Sequence, residues 1–343
     1  MDRKFFLNTT GALITGLTLP LKKITGTITD DEEVEFKRPP YLKPGNLIGI
    51  TSPAGYSSPE EIRSAVAIME SWGFKTIIGD AIGKKDFTRG GTDQERLADL
   101  QKMLDDPQIR AIMCSRGGYG SVRIVDGINW TKFKTQPKWI IGFSDITVLH
   151  SHIHRVCKSA SIHSKMTNSF PDDMISAEPV VAQTIDSIRD ALSGKKMNYD
   201  VSPQPRNKPG IGDGILTGGN LKTLESLAGS ASDIQTAGKI LFVEDTGEYL
   251  YSIDRMFWNL KRTGKLENLK GLIVGGFKIR PDDPGEEFGK DLYDIVLEKV
   301  NRYNYPVCFE FPVGHQKANY PMKCGVRHRL SVSSNEVNLK EIS

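Results

Sequence analysis

Ser144 stands in "KWIIGFSDIT", directly after an apolar run and one residue past a possible tight turn at Phe143, with Gly142 supplying the freedom for it. Trp139 to Ile141 read as a buried strand, and a helix begins near Asp145, with Ile146, Leu149, Ile153 and Val156 at helical spacing. A serine at such a strand-to-helix turn exposes its hydroxyl beside the free N–H groups of the helix, which suits nucleophilic attack with an oxyanion held by backbone. The pattern G-x-S-x-G is incomplete, because Ile146 replaces its second glycine. Serine as a plain N-cap is the alternative.

Three histidines follow, His150, His152 and His154. At ~1.5 Å rise per residue they lie about 9, 12 and 15 Å along the helix from Ser144, so none serves as its base. His150 and His154 are four apart and could share a metal, but no third ligand is evident, so they read as residues flanking an amphipathic face. The base must come from elsewhere. Three more loops follow apolar strands: "SRGGYGS", "EDTGEY" and "GHQKANYP". Ligands in open α/β sheets collect outside the carboxyl ends of strands, which brings Gly117-Gly118, Glu244-Asp245 and His315 toward Ser144. His315 lies on no apolar face and fits a general base. Either Glu244 or Asp245 suits as the acid orienting it, and either equally suits as a helix cap.

These groups need elements to hold them. From residue 46 onward, "LIGITS", "IRAIMC", "KWIIGF", "KILFVE", "GLIVGGF" and "PVCFEF" alternate with helical patterns, one capped at Ser58 and one at Thr92. That alternation predicts an α/β protein of two domains, the first a parallel sheet flanked by helices, the second an α/β unit ending in a β-hairpin that turns at Ser334-Asn335. The divisions expected are residues 1–40 as export signal and tether, 41–165 as the serine-bearing domain, 166–212 as a connecting helix and linker rich in Pro and Gly toward its end, and 213–343 as the domain with the acid and the histidine. "TGGN" reads as a strand-to-helix turn, and "RGGYG" lacks the lysine of a phosphate loop.

Composition bounds the chemistry. The 343 residues carry a net charge of +3 with Lys and Arg scattered, which argues against nucleic acid. Four cysteines show no zinc spacing and read as buried thiols. No metal or organic cofactor is called for. The amino end has a basic start, a moderately apolar stretch from Phe5 to Leu21, and then charge. It is too broken by polar residues and glycine for a membrane span and reads as a cleavable export signal. "DRKFFL" resembles the twin-arginine consensus, with Lys4 in place of the second arginine. The expectation is an exported, periplasmic protein with no membrane span after signal removal, or a cytoplasmic one if the leader is not functional.

Together, "GTDQERLADLQKMLDDPQIRAIMCSRGGYGSVRI", "IIGFSDIT", "LTGGNLKTLESLAG", "LFVEDTGEYLYSIDRMFWNLKRTG", "GLIVGGF" and "PVGHQKAN" resemble, in order, the blocks of the LD-carboxypeptidase family. The resemblance implies a serine peptidase with Ser144 as nucleophile, His315 as base and Glu244 as its orienting acid. It further implies an oxyanion hole from the backbone of Gly118 and Asp145, a peptidoglycan tetrapeptide as substrate, D-alanine as leaving group, and a homodimer. Arg116 is the candidate for the substrate's terminal carboxylate, with an ion pair inside its loop as the alternative. Two departures stand out: Gln316 follows His315 where glycine is common, and "SIHSKM" replaces a common His-Gly-Pro. The same superfamily contains microcin immunity proteins that cleave aminoacyl-nucleotide amides; Tyr249 and Trp258 are the aromatics on which a base could stack. A non-catalytic muropeptide-binding protein is the third reading.

Overall fold

The computed structural model describes residues 36–342. Five short apolar segments build the first sheet: β1 (Leu47–Thr51), β2 (Lys75–Ile78), β3 (Ile109–Cys114), β4 (Trp139–Gly142) and β5 (Ser161–His163), all parallel. β4 and β5 are buried along their whole length, as strands covered on both faces must be, whereas β2 at the edge leaves Ile77 and Ile78 exposed.

The rest of the chain supplies β6 (Asn198–Val201), β7 (Gly210–Asn220), β8 (Lys239–Glu248), β9 (Gly271–Ile279), β10 (Val307–Cys308), β11 (Met322–Cys324), β12 (Arg327–Val332) and β13 (Val337–Glu341). The second sheet has the order β10-β9-β8-β7-β12-β13-β6, parallel from β10 to β7 and antiparallel beyond. β11 instead joins the first sheet, antiparallel to β5, giving the order β11-β5-β4-β3-β1-β2. An apolar cluster runs through both sheets, from Trp139 and Ile141 of β4 to Phe242 of β8, Ile273 of β9 and Leu330 of β12. The two halves are therefore braced by one core as well as by a returning strand.

The expected α/β architecture and closing hairpin are present, with Val332 opposite Val337 across the turn. The helix at Asp93–Asp105 has the expected capping box of Thr92 and Glu95. Ser58 exchanges the same bonds with Glu61, but on a turn; the helix itself starts later, at Arg63. "TGGN" is not a turn but the end of β7, whose 11 residues also take in Gly210–Gly212 from the expected linker. The expected signal lies outside the described residues. The last residues of the expected tether are docked, Lys37 bridging to Lys158 and Ala160 through its backbone.

Candidate active site

β4 ends at Gly142, and two residues later Ser144 adopts φ +61° before the chain enters a helical stretch. A non-glycine residue in this left-handed region costs on the order of 1–3 kcal/mol, and such strain concentrates at functional turns. The sharp turn lets Ile146 fold back on the strand: a Cβ on Gly142 would lie 2.9 Å from the Ile146 side chain. The expected second glycine is thus replaced by a residue packed behind the turn. The loop after β3 closes in from the other side. A Cβ on Gly117 would come within 2.9 Å of Ser144 Cβ and 3.1 Å of its Oγ, so only glycine lets this backbone touch the serine. A Cβ on Gly118, the residue expected to donate an oxyanion-hole N–H, would lie 3.5 Å from the Gly55 backbone.

Glu244 and His315 come together through a chain of glycines. The register of β8 on β9 shifts between Val243/Asp245, where Gly275-Gly276 of β9 bulge opposite Glu244. The bulge lets the loop after β10 approach, Gly276 N–H donating to the Val313 carbonyl at 2.8 Å. Gly314, at φ +101°, then lies so close that a Cβ there would be 2.4 Å from Glu244 Cβ. His315 Nδ1 meets Glu244 Oε2 at 2.5 Å, the carboxylate fully buried and the imidazole 17% exposed. This is that carboxylate's single hydrogen bond among the described residues. The His315 ring sits 4.9 Å from that of Phe143, the residue before Ser144, and its Nε2 is the nitrogen left to handle a proton.

Asp245 does something else. It accepts from Asn220 Nδ2, from Lys222 N–H at 2.9 Å and from Thr246 N–H, which caps the short helix Leu221–Ser226. Burial pushes its carboxyl up to about 6. The acid that faces the histidine is Glu244.

Several supports escaped the sequence reading. Arg96 is fully buried and donates to the carbonyls of Pro53, Gly91 (3.3 Å) and Gly120 (2.9 Å), tying the loops after β1 and β3 together. The buried Asp145 carboxylate accepts from Ser121 N–H at 2.8 Å, clamping the glycine loop to the serine turn, and burial raises its pKa. Gly219 passes so close to the helix Thr147–His152 that a Cβ would lie 2.5 Å from Thr147 Oγ1, which in turn accepts from Asn220 N–H at 3.0 Å. A paired glycine ahead of a polar residue was the available signal; it marks close approach as readily as a turn.

Arg116 is half exposed, with Glu61 at 3.8 Å. Tyr249 is stacked on Tyr251 and carries Arg280, and the partly exposed Trp258 carries Lys261 and Lys299. All four cysteines are buried free thiols. Among the described residues no cluster of His, Cys, Asp or Glu is arranged to hold a metal, and no helix is long and apolar enough to cross a membrane.

This two-sheet architecture is shared with solved structures. A muramoyltetrapeptide carboxypeptidase from Oxalobacter formigenes superposes with TM-score 0.76 at 23% identity, covering 87% of this chain and 99% of that one. A microcin self-immunity protein superposes with TM-score 0.77 at 23% identity, covering 90% and 99%. The chain belongs to the LD-carboxypeptidase family: residues 48–164 match its N-terminal domain and residues 213–330 its C-terminal domain. A Bacillus subtilis protein named a probable murein peptide carboxypeptidase is 35% identical over 298 residues, 86% of this chain and 92% of that one. The murein tetrapeptide carboxypeptidase of Pseudomonas aeruginosa is 29% identical over 277 residues, 79% and 89% of the two chains.

Proposed function

We propose that this family member is a serine-type carboxypeptidase that releases terminal D-alanine from murein tetrapeptides. The observation that carries the reading is the pairing of a serine at φ +61° on a strand-to-helix turn with a His–Glu pair delivered by the second sheet. In this mechanism Ser144 Oγ attacks the carbonyl between the third residue and D-alanine while His315 Nε2 takes its proton. Glu244 holds the other ring nitrogen and stabilises the imidazolium from a buried position. The developing oxyanion falls between the serine turn and the glycine loop, where the N–H groups of Asp145 and Gly118 are the proposed donors, worth about 3–4 kcal/mol each in comparable sites. His315 then protonates the leaving amine, and water repeats the sequence on the acyl-enzyme. The names of the Bacillus and Pseudomonas relatives support the murein substrate. The basic-then-apolar amino end supports export to the periplasm.

The test is D-alanine release from a muramoyl tetrapeptide, followed by mass spectrometry. The parent converts tetrapeptide to tripeptide, and Ser144→Ala lowers turnover by roughly 10³-fold or more while leaving the fold intact. Release that is unchanged in Ser144→Ala would remove the serine mechanism.

A further inference from the structure

A carboxypeptidase has to recognise a free terminal carboxylate, and one lysine in this molecule is placed to do so without having been assigned any task. Lys165 occupies the position where "SIHSKM" departs from the family's usual proline. The chain reaches it from β5 through Ser164, whose N–H donates to the Gly142 carbonyl at 3.1 Å, two residues before Ser144. The Lys165 ammonium lies 5.9 Å from the centre of the Phe143 ring and donates to the Gln316 carbonyl at 2.7 Å, one residue past His315. It therefore bridges the serine's turn and the histidine's loop.

Its charge is uncompensated. No carboxylate among the described residues lies within ion-pairing distance of Lys165, although it is half-buried. Burial and, secondarily, the charge of Lys278 pull its pKa down, so a second cation is nearby. Lys165 lines a pocket of about 240 Å³ with Val181 and Ile185 as apolar wall and Thr184 as polar edge. The other lysine of that pocket, Lys317, is already paired with Glu178 at 2.7 Å. An ammonium has three donors, and the Gln316 carbonyl uses one.

Geometry of the reaction selects which carboxylate belongs there. The base that takes the serine's proton returns it to the leaving amine, so the leaving residue lies on the His315 side. Its carboxylate is two bonds from that amine and falls beside the histidine's loop. We propose that the Lys165 ammonium holds the terminal carboxylate of the leaving residue, with the aliphatic wall at Val181 and Ile185 beside it. Arg116, on the Gly55 side of the glycine loop and facing Glu61, is released from that role. The inference rests on the peptidase reading above.

The experiment is titration calorimetry in a Ser144→Ala background, with and without Lys165→Met. The probes are muramoyl tetrapeptide with a free terminal carboxylate and the same peptide as its terminal carboxamide, each made with diaminopimelate or lysine at the third position. Lys165→Met is expected to weaken the free acid by roughly tenfold to a hundredfold and to leave the carboxamide within about twofold. Lys165→Arg is expected to keep part of the preference. Equal loss on acid and amide would reduce Lys165 to a brace for the His315 loop and overturn the proposal. So would no loss at all, or a loss that follows the third residue's side-chain carboxylate. Free-acid preference that depends on Lys165, in a parent that releases no D-alanine, would keep the carboxylate site and discard the peptidase reading.

Discussion

The helix behind Ser144 and the loop after β10 both carry histidine, and they use it in opposite ways. On the helix, His150 meets Ser161 Oγ and the Gly142 carbonyl at 2.9 Å each, His152 meets Ser232, and His154 meets Thr217. Burial pulls His150 down to about 4 and His154 to about 3. Burial keeps these rings neutral, and both ring nitrogens of His150 and His154 have hydrogen-bond partners. His315 is partly open to solvent and its partner is a carboxylate. A hydroxyl or carbonyl satisfies a neutral imidazole, whereas a buried carboxylate stabilises the protonated one that a base becomes in mid-reaction. In the proposed mechanism it is the chemistry of the partner, not nearness to the serine along the chain, that picks out the base.

The sharpest way to break that comparison is at the neighbouring acids. Glu244→Gln removes the charge facing His315 and is expected to lower kcat by roughly 10²–10⁴-fold with little change in KM. Asp245→Asn alters a cap rather than a base and should change kcat by no more than a few-fold. Its cost should appear as about 1–3 kcal/mol of stability, because an amide facing Lys222 N–H leaves that donor unpaired. Steady-state kinetics and urea unfolding of both variants decide the matter, and equal kcat losses would erase the distinction. Gly314→Ala comes next in size. Its Cβ would have to displace Glu244, so kcat should fall by about 10²-fold even though no catalytic atom has been changed. Full activity in Gly314→Ala would mean that the close approach of the two loops is not needed.

Much of this was legible in the residues, and the shortfalls share a cause. The strands, the Thr92 cap and the terminal hairpin follow from local periodicity and capping chemistry, which the sequence states directly. The position of Ser144 after a buried strand was also readable. The choice between Glu244 and Asp245 was not, because adjacent strand residues point to opposite faces and the bulge at Gly275-Gly276 decides what each face meets. For the same reason "TGGN" looked like a turn. What requires glycine there is the carbonyl of Phe242, 1.9 Å from where a Gly218 Cβ would sit, and Thr147 beside Gly219. Arg96 looked like an ordinary charged helix residue; that it gathers three carbonyls from separate loops depends on tertiary contacts with no local signal.

The smallest expected effect tests the structural half of the comparison. His150 has a folded pKa of about 4 against an ordinary value near 6.5, so between those limits the unfolded chain binds the proton and the folded one does not. Its contribution to stability is present above pH 6.5 and is lost as pH falls toward 4, on the order of 2 kcal/mol by pH 5. His154 adds a loss of the same sign. Urea midpoints at pH 7 and pH 5 should show the parent losing more stability than His150→Gln by about that amount, although the variant is weaker at pH 7 because its ring hydrogen bonds are gone. Identical slopes for the two proteins would mean that His150 is not the buried neutral group described above.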